Sequence, residues 1–566
     1  MTEAQAAVDS RDLGLAARLF SDILRDWPEC IEALRGLGRV ESMRGAPEVA
    51  ESLLRRAVVL SPDHTDAWID LGNVCLAAAR YEPAASCYHR AIELDGGGIV
   101  AWYNLGLCRQ RQGALAAAAF CFRHVLEHDP WFEKALRLWV GIQESLGCLE
   151  ETRDVLEKLV VASPDHAEAH AALGYLLLKR FFQPQSALCY FEQALALGFE
   201  EAELYGNRGI ALQDLGRLDE ALASYEQALR LDSGNHGVRL HRSLARLARY
   251  DFAGGWPEYE LRLAEGKGSQ RRFPYPRWNG DNLAGKTLLV HGEQGLGDEI
   301  MFASCLPDVV ARAGHCIVEC HPKIAPLLRR SFPEIRVYAR TQADDFGGLS
   351  ELPPIDFCIP IGSLPLHFRR GLHEFPNHHG YLRADAERVE FWRKALRSLG
   401  TGLKVGLSWR GGTAQTRRRY RSLTLEQLLP ILDVDGIQFV NLQYDDCSVE
   451  IEQLRAVHSR TLHHFPEALA DYDETAALVT ALDLVVSVCT AIIHLGGALG
   501  KPVWILTPLG AEWRYGSQVD FMPWYPSVRL FRQRKPEEWN GVLQDVAALL
   551  GEVATRSGVP KSSGTA

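Results

Sequence analysis

The chain has 566 residues, 47% of them hydrophobic and 23% charged, with a formal net charge of −11. At the usual domain size this is about three or four domains' worth of core, and the acidic balance excludes a global basic field that would recruit nucleic acid or an anionic membrane. No apolar run reaches the roughly 18 residues of a spanning helix, so no membrane span is expected. Thirteen scattered cysteines without a CxxC pair, and no signal-like start in Met1 to Asp12, read as reduced thiols of a cytoplasmic protein. The His-rich spots lack metal-ligand spacing, so neither metal nor cofactor is expected.

From the N-terminus, Pro28, Pro62, Pro130 and Pro164 fall on one grid of about 34 residues, with Gly96 in the missing place. Leu37-Gly38, Leu71-Gly72, Leu105-Gly106 and Leu173-Gly174 lie on the same grid, and Arg208-Gly209 follows after an insertion. Ala50, Ala84 and Ala118 hold a small-residue position, followed by Leu54, Tyr88 and Phe122. This resembles the tetratricopeptide repeat, in which a large residue on one helix docks where its partner helix carries Gly or Ala. Roughly six full repeats are expected over 31–235, with Ala16, Phe20 and Ile23 in a partial first one. Trp139-Val140 replaces Leu-Gly in one repeat, so that helix pair is expected to be rotated or irregular. The resemblance implies a concave groove for a protein segment; the alternative is an array that only spaces or oligomerises.

The helical pattern continues to Arg262, read as a cap that closes the array over 1–262. The Pro-, Gly- and Asn-bearing stretch 263–285 reads as a linker. Strands then alternate with helices in two blocks, 286–383 and 384–535, before a C-terminal helix and tail over 536–566. Expected strands are Lys286 to His291, Cys316 to Cys320, Ile335 to Ala339, Phe357 to Ile361, Val405 to Trp409, Gln438 to Gln443, Leu484 to Val488 and Val503 to Leu506. A helix is expected from Asp298 to Ala313. Two doubly wound sheets make a cleft, with ligands at the carboxyl ends of the strands.

Four stretches carry candidate chemistry. The stretch Ser487 to Pro508 reads as strand, short helix and strand, with Thr490 as N-cap; its first turn offers N–H groups and the positive dipole end to a diphosphate, or is simply a well-capped core helix. In Glu293-Gln294-Gly295-Leu296-Gly297-Asp298 the glycines permit close ligand approach, and Asp298 reads either as a helix cap or as a carboxylate that accepts a proton from an attacking hydroxyl. Trp409-Arg410-Gly411-Gly412 and the arginines Arg417, Arg418, Arg419 and Arg421 could bind diphosphate oxygens, Arg421 foremost, or be a solvated basic loop. Gln443 ends a strand at the same rim. Trp513-Arg514-Tyr515 could stack on a base or sugar. No Asp-x-Asp stands at a strand end to hold a metal.

Gly297-Asp298 after a first strand, together with Ser487-Val488-Cys489-Thr490, His494-Leu495 and Ala498-Leu499-Gly500-Lys501-Pro502, resembles the heptosyltransferase family of GT-B glycosyltransferases over roughly 286–534. With the repeats, Gly255-Trp256 and Arg421-Ser422-Leu423, the chain is similar to bacterial repeat-plus-glycosyltransferase proteins and distantly to O-GlcNAc transferases. The resemblance implies an α-solenoid followed by a GT-B fold of two Rossmann-like domains. It also implies a metal-independent inverting transfer of hexosyl or heptosyl type, with Asp298 as general base. Gly295, Gly297, Arg410, Arg421, Gln443, Thr490 and His494 are then the nucleotide-sugar contacts; His494 otherwise reads as a satisfied core histidine. Where the family reads Asp-Thr this chain has Cys489-Thr490. The expected partners are a nucleotide-sugar donor, a protein or glycan acceptor and a protein segment in the groove. The alternative is a catalytically silent GT-B-like scaffold or interaction module.

Overall fold

The computed structural model describes residues 1–95, 98–263, 273–340, 354–412, 418–517 and 519–556. Gly96, Arg417 and the linker stretch 266–272 lie outside those residues, as do the side chains of Arg418 and Arg419. Two compact units divide the chain, Met1–Glu200 and Glu201–Ala566.

The first unit is a run of antiparallel helices from Thr2–Asp9 to Pro184–Ala196. Its repeating contact is a glycine that leaves room for a ring or branched side chain. A Cβ on Gly38 would lie 2.7 Å from Leu54, on Gly72 2.7 Å from the Tyr88 ring, and on Gly106 2.7 Å from the Phe122 ring. Gly174 stands in the same relation to Phe191. Each large partner is fully buried, so the pair helices touch nearly backbone to ring. In the repeat with Val140 the helices Glu133–Leu146 and Leu149–Ala162 are regular but approach each other much less closely than the Leu-Gly pairs. Val140 fills the space that the glycine leaves elsewhere.

The second unit opens with four helices, Ala202–Asp214, Leu218–Leu231, His236–Ala248 and Phe252–Tyr259. The first pair repeats the device, with Gly209 against Tyr225. Beyond them lie two sheets. The first contains β1 (Thr287–His291), β2 (His315–Cys320), β3 (Arg336–Ala339) and β4 (Phe357–Pro360), all parallel, in the order β3-β2-β1-β4. The second contains β5 (Leu403–Ser408), β6 (Ile437–Asn441), β7 (Leu462–His463), β8 (Leu484–Val488), β9 (Val503–Thr507), β10 (Phe521–Met522) and β11 (Tyr525–Arg532). Its order is β10-β11-β9-β8-β5-β6-β7, parallel except for the β10–β11 hairpin.

Burial on both faces explains why β5 and β8 read as apolar runs. Val405, Leu407, Val486 and Val488 pack with Leu543, Val546 and Leu550 of the helix Asn540–Arg556. The helix expected from Asp298 to Ala313 is broken into Leu296–Phe302, a 3-10 turn at Ala303–Cys305 and Leu306–Val310. Pro307 has no N–H to donate back to the preceding turn, so one continuous helix cannot form there. Strands β7 and β10 are only two residues long, and β11 carries polar residues and a proline, so none announces itself by periodicity.

The segment around Gly380 ties the two sheets together. Tyr381 and Leu382 both donate to the Ala498 carbonyl at 2.8 and 2.9 Å, closing the end of the helix Ala491–Ala498. Gly500, at φ +72°, has its Cβ direction filled by the His379 carbonyl at 2.0 Å, so no side chain fits. Arg330 grips Asp473 through two bonds of 2.8 and 2.6 Å, a forked pair between the same halves.

Candidate functional site

Each sheet reverses its strand order once, and the two reversals lie where the candidate residues stand. In the first sheet β2 and β4 flank β1, whose end at His291 feeds the turn Gly292 to Gly295 and the helix Leu296–Phe302. In the second, β6 and β8 flank β5. β5 runs into Trp409-Arg410-Gly411, and β8 into Cys489-Thr490 and the helix Ala491–Ala498. Diverging loops at such a reversal open a crevice at the strands' carboxyl ends.

The two helices face each other. A Cβ on Gly297 would lie 2.9 Å from the His494 ring and 3.4 Å from Ala491 Cα, so glycine is what lets the Asp298 helix approach this closely. Asp298 is the third residue of its helix, and its amide donates to Gly295. Its side chain keeps 19% of its exposure, and Arg514 Nη2 stands 2.6 Å from Oδ1. No N–H is aligned on that oxygen, so the contact is an ion pair rather than a straight hydrogen bond. Burial pushes the Asp298 carboxyl above its usual range, while Arg514 and a backbone hydrogen bond at Gly295 pull against that rise. The backbone bond gives the capping reading of Asp298 some substance.

Thr490 is the N-cap in extended geometry, its hydroxyl accepting from the Ile492 amide at 3.3 Å and standing 3.2 Å from Ser487 Oγ. Gly411 presses against this cap: a Cβ there would meet the Cys489 carbonyl at 2.6 Å and Thr490 at 2.9 Å. The Gly411 amide donates to Ser422 Oγ at 3.2 Å. Gln443 is fully buried, and its Oε1 accepts from the Trp409 and Arg410 amides at 3.2 and 2.9 Å, which shapes the loop after β5. Arg410 pairs with Glu450. Arg421 Nη1 lies 2.5 Å from Glu512 Oε1, and Arg514 holds the other oxygen of Glu512. Asp298, Arg514, Glu512 and Arg421 thus form a line of alternating charge from one sheet's helix to the other sheet's basic loop.

His494 is buried, with Nδ1 3.1 Å from the Tyr525 hydroxyl. Burial first, and the Arg514 charge second, hold its pKa well below the ordinary value, so the ring is neutral. That arrangement satisfies a core histidine and brings it beside Gly297. Cys489 is buried, and loss of solvation raises its thiol to about 12, so it carries no charge at neutral pH. Trp513 and Tyr515 are 6% and 1% exposed, so neither ring is presented for stacking on a ligand. Trp513 instead stands edge-on to Trp256 and Tyr259 and near Phe302 and Trp524.

The last helix before the sheets therefore reaches the site. Tyr259 bonds Gln294, and Arg262 bonds Glu293 at 2.8 Å, fixing the turn before Asp298. Trp256 Nε1 donates to the Arg369 carbonyl at 2.8 Å. The Asp214 backbone lies against Gly510, and Tyr250 against Gly516, on the two sides of Glu512 and Arg514. Sequence reasoning missed Arg514 and Glu512 because the tripeptide around Arg514 drew attention for its rings. The usable signal was an acidic residue two positions before an arginine in the loop after the last buried strand.

Tetratricopeptide repeat families match residues 202–235 and residues 1–65 and 44–99. Protein FlbA of Caulobacter vibrioides is 33% identical over 422 residues, covering 71% of this chain and 70% of that protein. Among solved structures, pilF of Pseudomonas aeruginosa is 19% identical, over 38% of this chain and 96% of that one, with a TM-score of 0.30. A tetratricopeptide repeat protein of Parabacteroides merdae is 16% identical over 43% and 96%, with a TM-score of 0.32. With TM-scores this low, the repeat assignment rests on the family matches and on the glycine-to-ring packing.

Proposed function

This chain belongs to the family of Protein FlbA, and we propose, on the arrangement of its own residues, that its second unit is a GT-B glycosyltransferase. It moves a hexosyl or heptosyl group from a nucleotide sugar to a protein or glycan acceptor, with inversion and without a metal, in the cytoplasm. The observation that carries this reading is the facing of the Asp298 helix and the Thr490-capped helix, each at the strand reversal of its own sheet. The diphosphate binds at the Thr490-capped first turn of the Ala491–Ala498 helix, where the helix dipole favours an anion. Arg421 adds a guanidinium, and the loop of Gly411, shaped by Gln443, covers the phosphates. Gly295 and Gly297 leave room at the first helix, where Asp298 takes the proton of the attacking hydroxyl. The repeats hold a protein segment that presents or recruits the acceptor.

A silent scaffold is the second reading, favoured by Cys489: an un-ionised thiol replaces a carboxylate among the donor contacts. One experiment separates the two. Thermal stabilisation by UDP, ADP, GDP and CMP and their sugars identifies the donor, and transfer or donor hydrolysis is then measured on Asp298→Asn, Thr490→Ala and Arg421→Ala. Asp298→Asn is expected to lower turnover by about 10²- to 10⁴-fold with donor affinity nearly intact; the other two weaken donor binding. Donor binding without turnover in the wild type, with turnover gained in Cys489→Asp, would establish the scaffold instead.

A further inference from the structure

We propose that Arg514 is a positioning residue for Asp298, fixing the carboxylate's orientation and keeping it ionised; this rests on the reading of Asp298 as the base. Two groups hold the carboxylate. From its own helix's N-cap the Gly295 backbone favours the ionised form, and from the other sheet Arg514 reaches Oδ1 at 2.6 Å. A carboxylate has about four acceptor directions, so both contacts leave capacity for a substrate hydroxyl.

Arg514 is itself placed with little freedom. Its residue lies in the turn Trp513–Tyr515, and its side chain is 15% exposed. The adjoining Trp513 ring is wedged among Trp256, Tyr259, Phe302 and Trp524, and the guanidinium carbon sits 5.5 Å from that ring's centre. A second N–H edge engages Glu512. One guanidinium thus serves two carboxylates at once, through a hydrogen bond to Glu512 and an ion pair to Asp298, which a compact lysine ammonium cannot copy with the same geometry.

The charges around Asp298 give the arginine its second task. Glu512 and Glu293 both push the Asp298 carboxyl upward, and Glu299, the next residue, adds a third carboxyl at close range. Tyr259, its phenol raised to about 12 by burial, and His494 bring no charge at neutral pH. Arg262, Arg340 and Arg421 pair with Glu293, Glu299 and Glu512, and among the described residues Arg514 is the cation paired with Asp298 itself, opposing the loss of solvation there. Without it the carboxyl holds its proton to higher pH and stops acting as a base.

The test uses the full-length protein as wild type, Arg514→Gln and Arg514→Lys. With the donor found by the nucleotide screen, the acid limb of the kcat–pH profile is expected to move up by roughly one pH unit in Arg514→Gln, each such unit being about tenfold in ionised base below the limb. Arg514→Lys returns the limb towards the wild-type pH but only part of the rate, because charge is restored and the fork is not. A lower melting temperature in both variants with an unmoved limb, per folded molecule, would overturn the proposal and leave Arg514 a tie between the two sheets. In parallel, 13C-carboxyl aspartate, with the Asp298 signal identified by its loss in Asp298→Asn, is titrated by NMR in wild type, Arg514→Gln and Arg514→Lys. An Asp298 signal that titrates at the same pH in wild type and in both variants also overturns it. A wild type that turns over no donor, with the signal still moving on substitution, would sink the base reading alone.

Discussion

Two stretches of this chain are written in the same repeat code and end in different places. The pair built on Gly72 and Tyr88 packs within Met1–Glu200, whereas the pair built on Gly209 and Tyr225 belongs to the same compact unit as the sheets. The local device is identical: a bare backbone on one helix receives a ring from the next. What differs is the rest of the surface. The helices from Ala202 to Tyr259 carry Tyr250, Phe252, Trp256 and Tyr259, which pack on Trp513, Trp524, Phe375 and Phe521. A repeat period therefore specifies how helices pair, while the aromatic residues outside the period decide which unit a pair joins.

Removing the seam should break this comparison most strongly. Trp256→Ala is expected to destabilise the second unit by about 3–5 kcal/mol, the usual loss for a fully buried tryptophan, and to leave the first unit's melting unchanged. Differential scanning calorimetry with the two transitions assigned on separate fragments checks this.

Acidity should sharpen it. Glu299 is 1% exposed, accepts from the His321 amide at 2.7 Å, and burial raises its carboxyl from 4.5 to about 7. The folded second unit binds this proton more tightly than the unfolded chain, so the contribution is fully present below 4.5 and is lost as pH rises through about 7. The change is on the order of 3 kcal/mol. Chemical denaturation between pH 4.5 and 8 should show the slope in the second unit of the wild type and a flatter one in Glu299→Gln.

Next in size, Gly72→Val and Gly209→Val each force an isopropyl group against a buried ring and should cost about 1–3 kcal/mol. The first should lower only the first unit's transition and spare nucleotide affinity, and the second should lower the other transition and weaken nucleotide binding. Equal effects on binding would erase the distinction. Thr490→Ala removes a cap and should cost about 1 kcal/mol of second-unit stability, readable as a small shift in denaturant midpoint.

The sequence made some of this legible for physical reasons. Large residues opposite Leu-Gly pairs, apolar runs at Leu484 to Val488, and a hydroxyl at Thr490 before a small-residue helix each encode one local geometry. The placement of Gly297 against His494 was not legible, since the two are far apart in the chain and glycine only permits the approach. Arg514 was equally hidden: its partner Asp298 lies on another sheet, and nothing local marks a long-range ion pair. Trp513-Arg514-Tyr515 looked like a stacking surface because rings in loops suggest ligands, yet Trp256 and Tyr259 of the helix Phe252–Tyr259 pack against Trp513. Val140 was the clearest local signal of a departure, and the wider helix pair there follows from an isopropyl group where the other repeats carry a hydrogen.

The most direct test compares two truncations, 201–566 and 263–566. If the last repeat is built into the unit that carries Asp298, Arg514 and Thr490, the longer fragment unfolds in one cooperative transition matching that of the full chain. The shorter one, stripped of Trp256 and Tyr259, then loses that transition or aggregates. A 263–566 fragment as stable as 201–566 would contradict the account.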